Sequence, residues 1–317
     1  MSVTCVGELL IDFVCTDTGV DLSQGANFIK KAGGAPANVA AAVAKLGGQA
    51  QLIGKVGNDP FGAFLRKQLE KVRVDISQVI VSPEYPTTMA FVSLEADGSR
   101  DFHFFAGADT QLRWEEIEWD RVLASRLLHF GSATALLDYP LYAAYRRLFA
   151  KAVENHRFVS FDPNYRHDLW KGNEGMFMER CRHFIRHADL VKVSDEELSL
   201  LTGKGLDEGI SVLHDWGAKF VAVTLGKEGA MLSAGNRQAT VASIPIQSID
   251  STGAGDAFIG ALLCKISASS RQECPDFAIL VGFARFANVA AALTCTKLGA
   301  IEAIPTLEEV QFYLEEE

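Results

Sequence analysis

Short apolar, β-prone stretches alternate with longer helix-prone ones along most of this chain, and no other feature restricts the fold as strongly. "VTCVGELLIDFV" reads as one buried opening strand, and "GGAPANVAAAVAKLGG" as a glycine turn feeding a helix closed by Gly47 and Gly48. The rhythm continues as "AQLIGKVG" strand, "PFGAFLRKQLEKV" helix, "LLHFGSATAL" strand, "PLYAAYRRLFAKAVENH" helix and "RFVSFD" strand. A helix near 175–187, the strand "ADLVKVS", helices near 195–202 and 207–216, the strand "KFVAVTL" and a helix after Gly255 follow. Elements in that order build a mostly parallel sheet with helices on both faces, an α/β architecture. Residues 13–32 and 87–106 break the rhythm. They look like short strands, with an Asp97-Gly98 hairpin signal, and predict a small β appendage beside the sheet mouth, a candidate lid. At 317 residues the chain exceeds the ~250–300 at which one core usually stops growing, which suits a large domain with such an appendage, or two domains.

Charge narrows the partners. The net charge is −10 and the 30 Lys and Arg residues are dispersed, which argues against nucleic acid or an anionic membrane, so any phosphate must be held locally. The six cysteines form no C-x-x-C and the N-terminus has no signal-peptide pattern, which points to a reducing cytoplasm. No window approaches 18 uninterrupted apolar residues, so no transmembrane helix is expected. The strand edges of a lid invite pairing and leave a homodimer through it open.

In "DSTGAGDAFIGALL" a bare backbone precedes a helix, so the amides of Gly253, Ala254 and Gly255 can face outward and receive an anion, with the helix dipole adding ~0.3–1 kcal/mol. Asp256, at the rim, suits a base that accepts a proton from an attacking hydroxyl; equally, it could cap the helix. The dipole should lower its pKa, which phosphoryl transfer tolerates because the hydroxyl proton can leave late. The motif is neither a Walker A loop nor a dinucleotide fingerprint.

"DSTGAGDAF" and "GGAPANVAAAVAKLG", in that family's order and roughly 215 residues apart, resemble the two signatures of the ribokinase-type (phosphofructokinase-B) sugar kinases. The likeness runs on through "GELLID", "DPNYR", "KVSDEE", "TLGKEGA" and "FANVAAALTCTKLGAI", and within the family is greatest to fructokinases. It implies one ribokinase-like three-layer α/β domain over residues 1–317, with ATP along the carboxyl edge of the sheet and sugar between sheet and lid. It also implies Asp256 as catalytic base and Gly253, Ala254 and Gly255 as anion hole. Lys192, Thr224, Gly226, Gly229 and Asn288 match segments lining the nucleotide site, and Asp12, Gly33, Gly34 and Asn38 match sugar-binding positions.

Read from the residues themselves, Asp12 ends the first strand, where ligands of open α/β sheets sit, or it serves a turn. Gly33 and Gly34 could be only a tight turn, whereas Asn38, one turn into a helix it does not favour, wants another reason. Arg166 could clamp substrate or γ-phosphate, or make a surface salt bridge. Glu197 is kept where relatives have N-x-x-E tied to Mg²⁺ hydration, although Ser194 replaces the Asn, so Mg²⁺ held through water stays expected. The resemblance also implies that Asp250 helps hold a monovalent cation such as K⁺; read alone, it braces the loop. The lid lacks the basic residue of many fructokinases, leaving Phe104 to pack on the sugar. Cys181, His183 and His187 form an arginine-rich helical face rather than a metal site. The expected reaction is transfer from ATP to a ketose, most plainly fructose. 2-Keto-3-deoxygluconate kinase, ribokinase and nucleoside kinase are the family alternatives, and a non-catalytic sugar sensor the alternative of another class.

Overall fold

The opening stretch is two strands, not one. A computed structural model describes residues 2–94, 100–269 and 276–315, and in it β1 (Ser2–Val6) and β2 (Leu10–Cys15) belong to different sheets. Gly7 turns between them with φ +141°, a conformation few other residues adopt. The next strand, β3 (Phe28–Gly33), leads into helix α1 (Ala35–Lys45), then β4 (Gln49–Gly57) and α2 (Pro60–Lys71). Asp59 starts α2 by accepting from the amides of Phe61 and Gly62, with Pro60 supplying the fixed φ of a first helical residue. After β5 (Asp75–Ser82) the chain forms β6 (Met89–Leu94) and β7 (Arg100–Phe105); the expected Asp97-Gly98 turn lies outside the described residues.

The short α3 (Trp119–Leu123) precedes β8 (Leu127–Phe130), α4 (Pro140–Glu154) and β9 (Phe158–Phe161). The expected strand over "LLHFGSATAL" stops at Phe130, and its remainder is a buried loop. Next come α5 (His167–Trp170), α6 (Glu174–Ile185), β10 (Leu190–Ser194), α7 (Asp195–Thr202), α8 (Leu206–Trp216) and β11 (Phe220–Thr224). The chain ends with β12 (Ala230–Ala234), β13 (Arg237–Val241), α9 (Ala254–Ala268), α10 (Phe277–Thr294) and α11 (Leu307–Glu315).

The large sheet has the order β13-β12-β11-β10-β9-β8-β1-β4-β5. Neighbours from β5 to β11 pair parallel, and β12 pairs antiparallel with both β11 and β13. Alternate strand residues divide the core. Val3, Cys5, Leu52, Leu190 and Ala222 pack under α1, α9 and α10, whereas Val6, Phe130, Phe161, Val191 and Val221 pack under α4, α6, α7 and α8. This is the three-layer α/β sandwich. α10 averages a hydropathy of 1.7 over 18 residues, enough by length and composition alone to cross a membrane, but 56% of it is buried and it packs on α9 as a core helix.

The small sheet has the order β3-β2-β6-β7. Its register puts Asp12, Lys31, Ala90 and Phe104 on one face and Phe13, Lys30, Phe91 and His103 on the other. The second face packs on α2, where Phe13 meets Phe61 edge-on at 5.7 Å and Lys30 lies 3.9 Å from the Phe64 ring. The first face looks toward the sheet mouth.

Candidate active site

From β1 the chain builds outward through β4 and β5 on one side, then through β8 to β11 on the other, so β1 and β8 flank the point where strand order reverses. Crevices at the carboxyl ends of strands form at such points. Glu8 just past β1, Ser132 and Thr134 past β8, Asp162 past β9, Ser194 at the end of β10 and Thr224 at the end of β11 all lie on that edge.

Helix α9 enters there. Gly253, left-handed at φ 78°, is its N-cap, so Asp256 sits third in the helix and caps nothing. Its Oδ2 instead accepts from Asn38 Nδ2 at 2.9 Å. Burial pushes the Asp256 carboxyl up to about 6, although Asn38, Arg166 and Lys192 favour its charge and Asp162 opposes it. The expected lowering is therefore reversed, because desolvation of a carboxylate outweighs a half-charge at a helix end. The amide of Ala254 is not free as expected: it donates to Ser251 O at 3.2 Å.

Lys192 of β10 stands beside the loop, its Nζ 3.1 Å from where a Cβ on Gly255 would lie. Nζ pairs with Asp162 Oδ2 at 2.9 Å, both side chains being buried. Burial works against its charge, but Asp162, Glu197 and Asp256 outweigh that and hold the ammonium above the ordinary lysine value. Glu197 closes this cluster. Its Oε1 accepts from Tyr165 N at 2.7 Å and its Oε2 from Ser194 N at 2.8 Å, so it joins the "DPNYR" loop to the start of α7 while Ser194 Oγ caps that helix.

Asp12 is mid-strand in β2 and serves no turn. A Cβ on Gly33 would lie 1.9 Å from its Oδ2, so only glycine leaves room for that carboxylate. Burial pushes Asp12 up to about 7; Arg166 draws it down, and Glu8 and Asp256 raise it further. Asp12, Arg166 and Asp256 thus share one field, although they come from the small sheet, the loop after β9 and α9. Arg166 is exposed and makes no ion pair among the described residues; its Nη1 donates to Tyr165 O at 2.9 Å. Gly34 is the N-cap of α1.

Other expected residues stand further out. Thr224 Oγ1 donates to Val193 O at 3.4 Å, Gly226 borders open space, and Gly229 abuts the Val241 carbonyl. Asn288 is buried and donates to Val241 O at 2.7 Å and Ala242 O at 3.1 Å, tying α10 to the end of β13. Asp250 Oδ1 accepts from Thr252 N and Oγ1, and its Oδ2 from Gly299 N. Phe104 shares a 540 Å³ cavity with Phe102, Tyr139, Asp168 and Trp170, between the small sheet and α5. No three His, Cys, Asp or Glu side chains among the described residues could together hold a metal, and Cys181 is buried beneath exposed His183 and His187.

Two carboxylates that sequence reasoning missed complete the site. Asp162 ends "RFVSFD", a strand-end carboxylate of the same kind as Asp12 seemed to be. Glu8, inside "GELLID", is buried; its Oε1 accepts from Ala35 N at 3.1 Å and Ala133 N at 3.2 Å, and its Oε2 from Ser132 Oγ. It had been hidden inside an apparent strand.

Residues 1–307 match the model of the pfkB family of carbohydrate kinases. The chain is 39% identical over 312 residues to probable fructokinase-4 of Arabidopsis thaliana, covering 97% of this chain and 95% of that protein. Fructokinase of Xylella fastidiosa with bound ATP superposes with TM-score 0.88 at 30% identity, over 99% of this chain and 98% of that one. A fructokinase double mutant of Vibrio cholerae O395, bound to fructose, ADP and potassium ion, gives 0.85 at 32%, over the same shares. With Asp256, Lys192 and the glycine loop at the mouth of a three-layer α/β sandwich, the chain belongs to the pfkB family of carbohydrate kinases.

Proposed function

We propose that this chain is an ATP-dependent fructokinase that converts fructose and ATP to fructose 6-phosphate and ADP. The observation that carries the reading is the buried Asp256 at the start of α9, with the Lys192 ammonium against the same turn and Asp12 facing it from the small sheet.

In this reading Asp256 accepts the proton of the sugar's primary hydroxyl as its oxygen bonds to the γ-phosphorus, and the bond from that phosphorus to the ADP oxygen breaks. A carboxyl raised to about 6 is still mostly ionised at neutral pH and a better proton acceptor than an exposed one. The amides of Gly253 and Gly255, with Lys192, stabilise charge on the transferred group; Ala254, its amide engaged, contributes shape. Asp12 and Asn38 hold the sugar over Gly33 and Gly34, Arg166 neutralises Asp12 and reaches the incoming phosphate, and Phe104 covers the sugar from the lid. Thr224, Gly226, Gly229 and Asn288 shape the nucleotide edge of the crevice.

A bound Mg²⁺ would supply positive charge to offset that of the phosphates. The donor set suits it: Mg²⁺ usually keeps several waters and needs only one or two carboxylates. Glu197, whose oxygens already serve two backbone amides, would hold it through water. The described cysteines are free thiols, which supports a cytoplasmic setting. Val14 and Ile29, exposed on the Asp12 face of the lid, support a homodimer through it.

An ADP-release assay over a sugar panel tests the proposal, with the product identified by NMR. Fructose should give the highest kcat/KM, with phosphate on the primary hydroxyl. Preference for ribose, 2-keto-3-deoxygluconate or a nucleoside would reassign the substrate, and ATP consumption with none of them would leave a sensor.

A further inference from the structure

The helix pair α1 and α9 carries the base and one of its neighbours. Asp256 and Gly260 are one turn apart on α9, and Asn38 and Ala42 one turn apart on α1. A Cβ on Gly260 would lie 2.5 Å from Ala42 Cβ, so the missing side chain lets the helices close at that level and brings Asn38 against Asp256 one turn above. The pair is buried, and Asn38 Nδ2 donates to Asp256 Oδ2 at 2.9 Å. An ionised carboxylate only accepts, so the amide nitrogen must face it, which leaves Asn38 Oδ1 buried without a partner.

We propose that Asn38 is a positioning residue for Asp256, fixing one carboxylate oxygen so that the other is presented to the attacking hydroxyl, while its own Oδ1 accepts from a neighbouring hydroxyl of the same substrate. This goes beyond sugar binding by Asn38 and rests on the sugar-kinase reading. It gives Asn38 two separable effects: loss of Oδ1 weakens the sugar, and loss of Nδ2 loosens the base and makes it harder to ionise. The groups facing Asp256 are Cys5 from β1, Asp12 from β2, Asp162 and Arg166 from the loop after β9, and Lys192 from β10. All of them are retained in the Asn38 variants.

The test uses Asn38→Leu, which keeps the volume, and Asn38→Ala, which favours the helix if the leucine variant fails to fold. Carbon-13 NMR of aspartate carboxyls, with the Asp256 signal assigned by its loss in Asp256→Asn, should show the Asp256 midpoint rising by roughly half a pH unit or more. At saturating sugar and ATP, kcat should fall ~10-fold or more at pH 6 and less at pH 8, with KM for ATP unchanged. An unmoved Asp256 titration, or a raised sugar KM with unchanged kcat and pH profile, would overturn the proposal and leave Asn38 a sugar contact alone. The NMR measurement needs no substrate, so it decides the coupling even if no sugar on the panel is phosphorylated.

Discussion

At the scale of single residues, charge and burial pull against each other, and the balance gives signs that can be measured. Asp256 ionises near pH 6, so kcat/KM should fall as pH drops through about 6, the protonated acid being unable to take a proton. Asp256→Asn keeps the shape, removes the acceptor and should lower kcat by ~10²- to 10⁴-fold with little change in ATP affinity. Retention of a third of the wild-type kcat would exclude the base. Asp12 carries a different prediction. Its folded pKa, about 7, lies above the ordinary carboxylate value, so at pH 8 its ionised form costs stability. Asp12→Ala should leave the melting temperature at pH 8 unchanged or higher while cutting kcat/KM for fructose by ~10²-fold. Calorimetric titration with fructose and with an ATP analogue separates the outcomes, since unchanged fructose affinity removes Asp12 from the site.

At the scale of elements, what could be read in advance was what one element writes by itself. The turn "STGAGDAF" and the helix behind it are local, so α9 and its glycine cap were legible, as were α1 and the parallel strands, whereas the bond from the Ala254 amide to Ser251 O was not. What was not legible depended on partners distant in sequence. Nothing near Asp256 says that Asn38, from another helix, will donate to it, or that burial will reverse the effect of the helix end. Likewise "VTCVGELLIDFV" is mostly apolar although its two halves lie in different sheets, so hydropathy marked no break at Gly7. Gly255 joins the two levels. It looks like a glycine kept for an anion, and Lys192 Nζ lies 3.1 Å from the Cβ it lacks. Gly255→Val should displace that ammonium and fill the turn, reducing the melting-temperature gain from an ATP analogue far more than the melting temperature without it. An equal gain in variant and wild type would place the phosphates elsewhere.

At the scale of the whole molecule, the small sheet joins the large one through four chain crossings: 7–9, 33–35, 86–88 and 107–109. Two buried carboxylates tie them. Glu8 in the first crossing accepts from Ala35 N in the second, and Asp109 in the fourth accepts from Thr88 Oγ1 in the third. Thr134 Oγ1 stands between the pairs, 2.9 Å from Asp109 Oδ2 and 3.5 Å from Glu8 Oε2, and its single proton can serve one of them at a time. Burial pushes Asp109 up to about 7, with Glu8 adding to the rise and the Thr88 and Thr134 hydroxyls opposing it. Because the folded pKa exceeds the unfolded value of ~3.9, the native state binds the extra proton between those limits, and stability from this group is lost as pH rises toward 7. Asparagine imitates the protonated acid, and both threonine hydroxyls can turn to meet its amide. Asp109→Asn should therefore melt near wild type at pH 5 and above it at pH 8, where wild type holds a buried carboxylate beside Glu8. A calorimetric melting series from pH 5 to 8 checks this. A variant that is equally or more destabilised at pH 8 would mean that Asp109 is ionised throughout and that the lid is held by its charge.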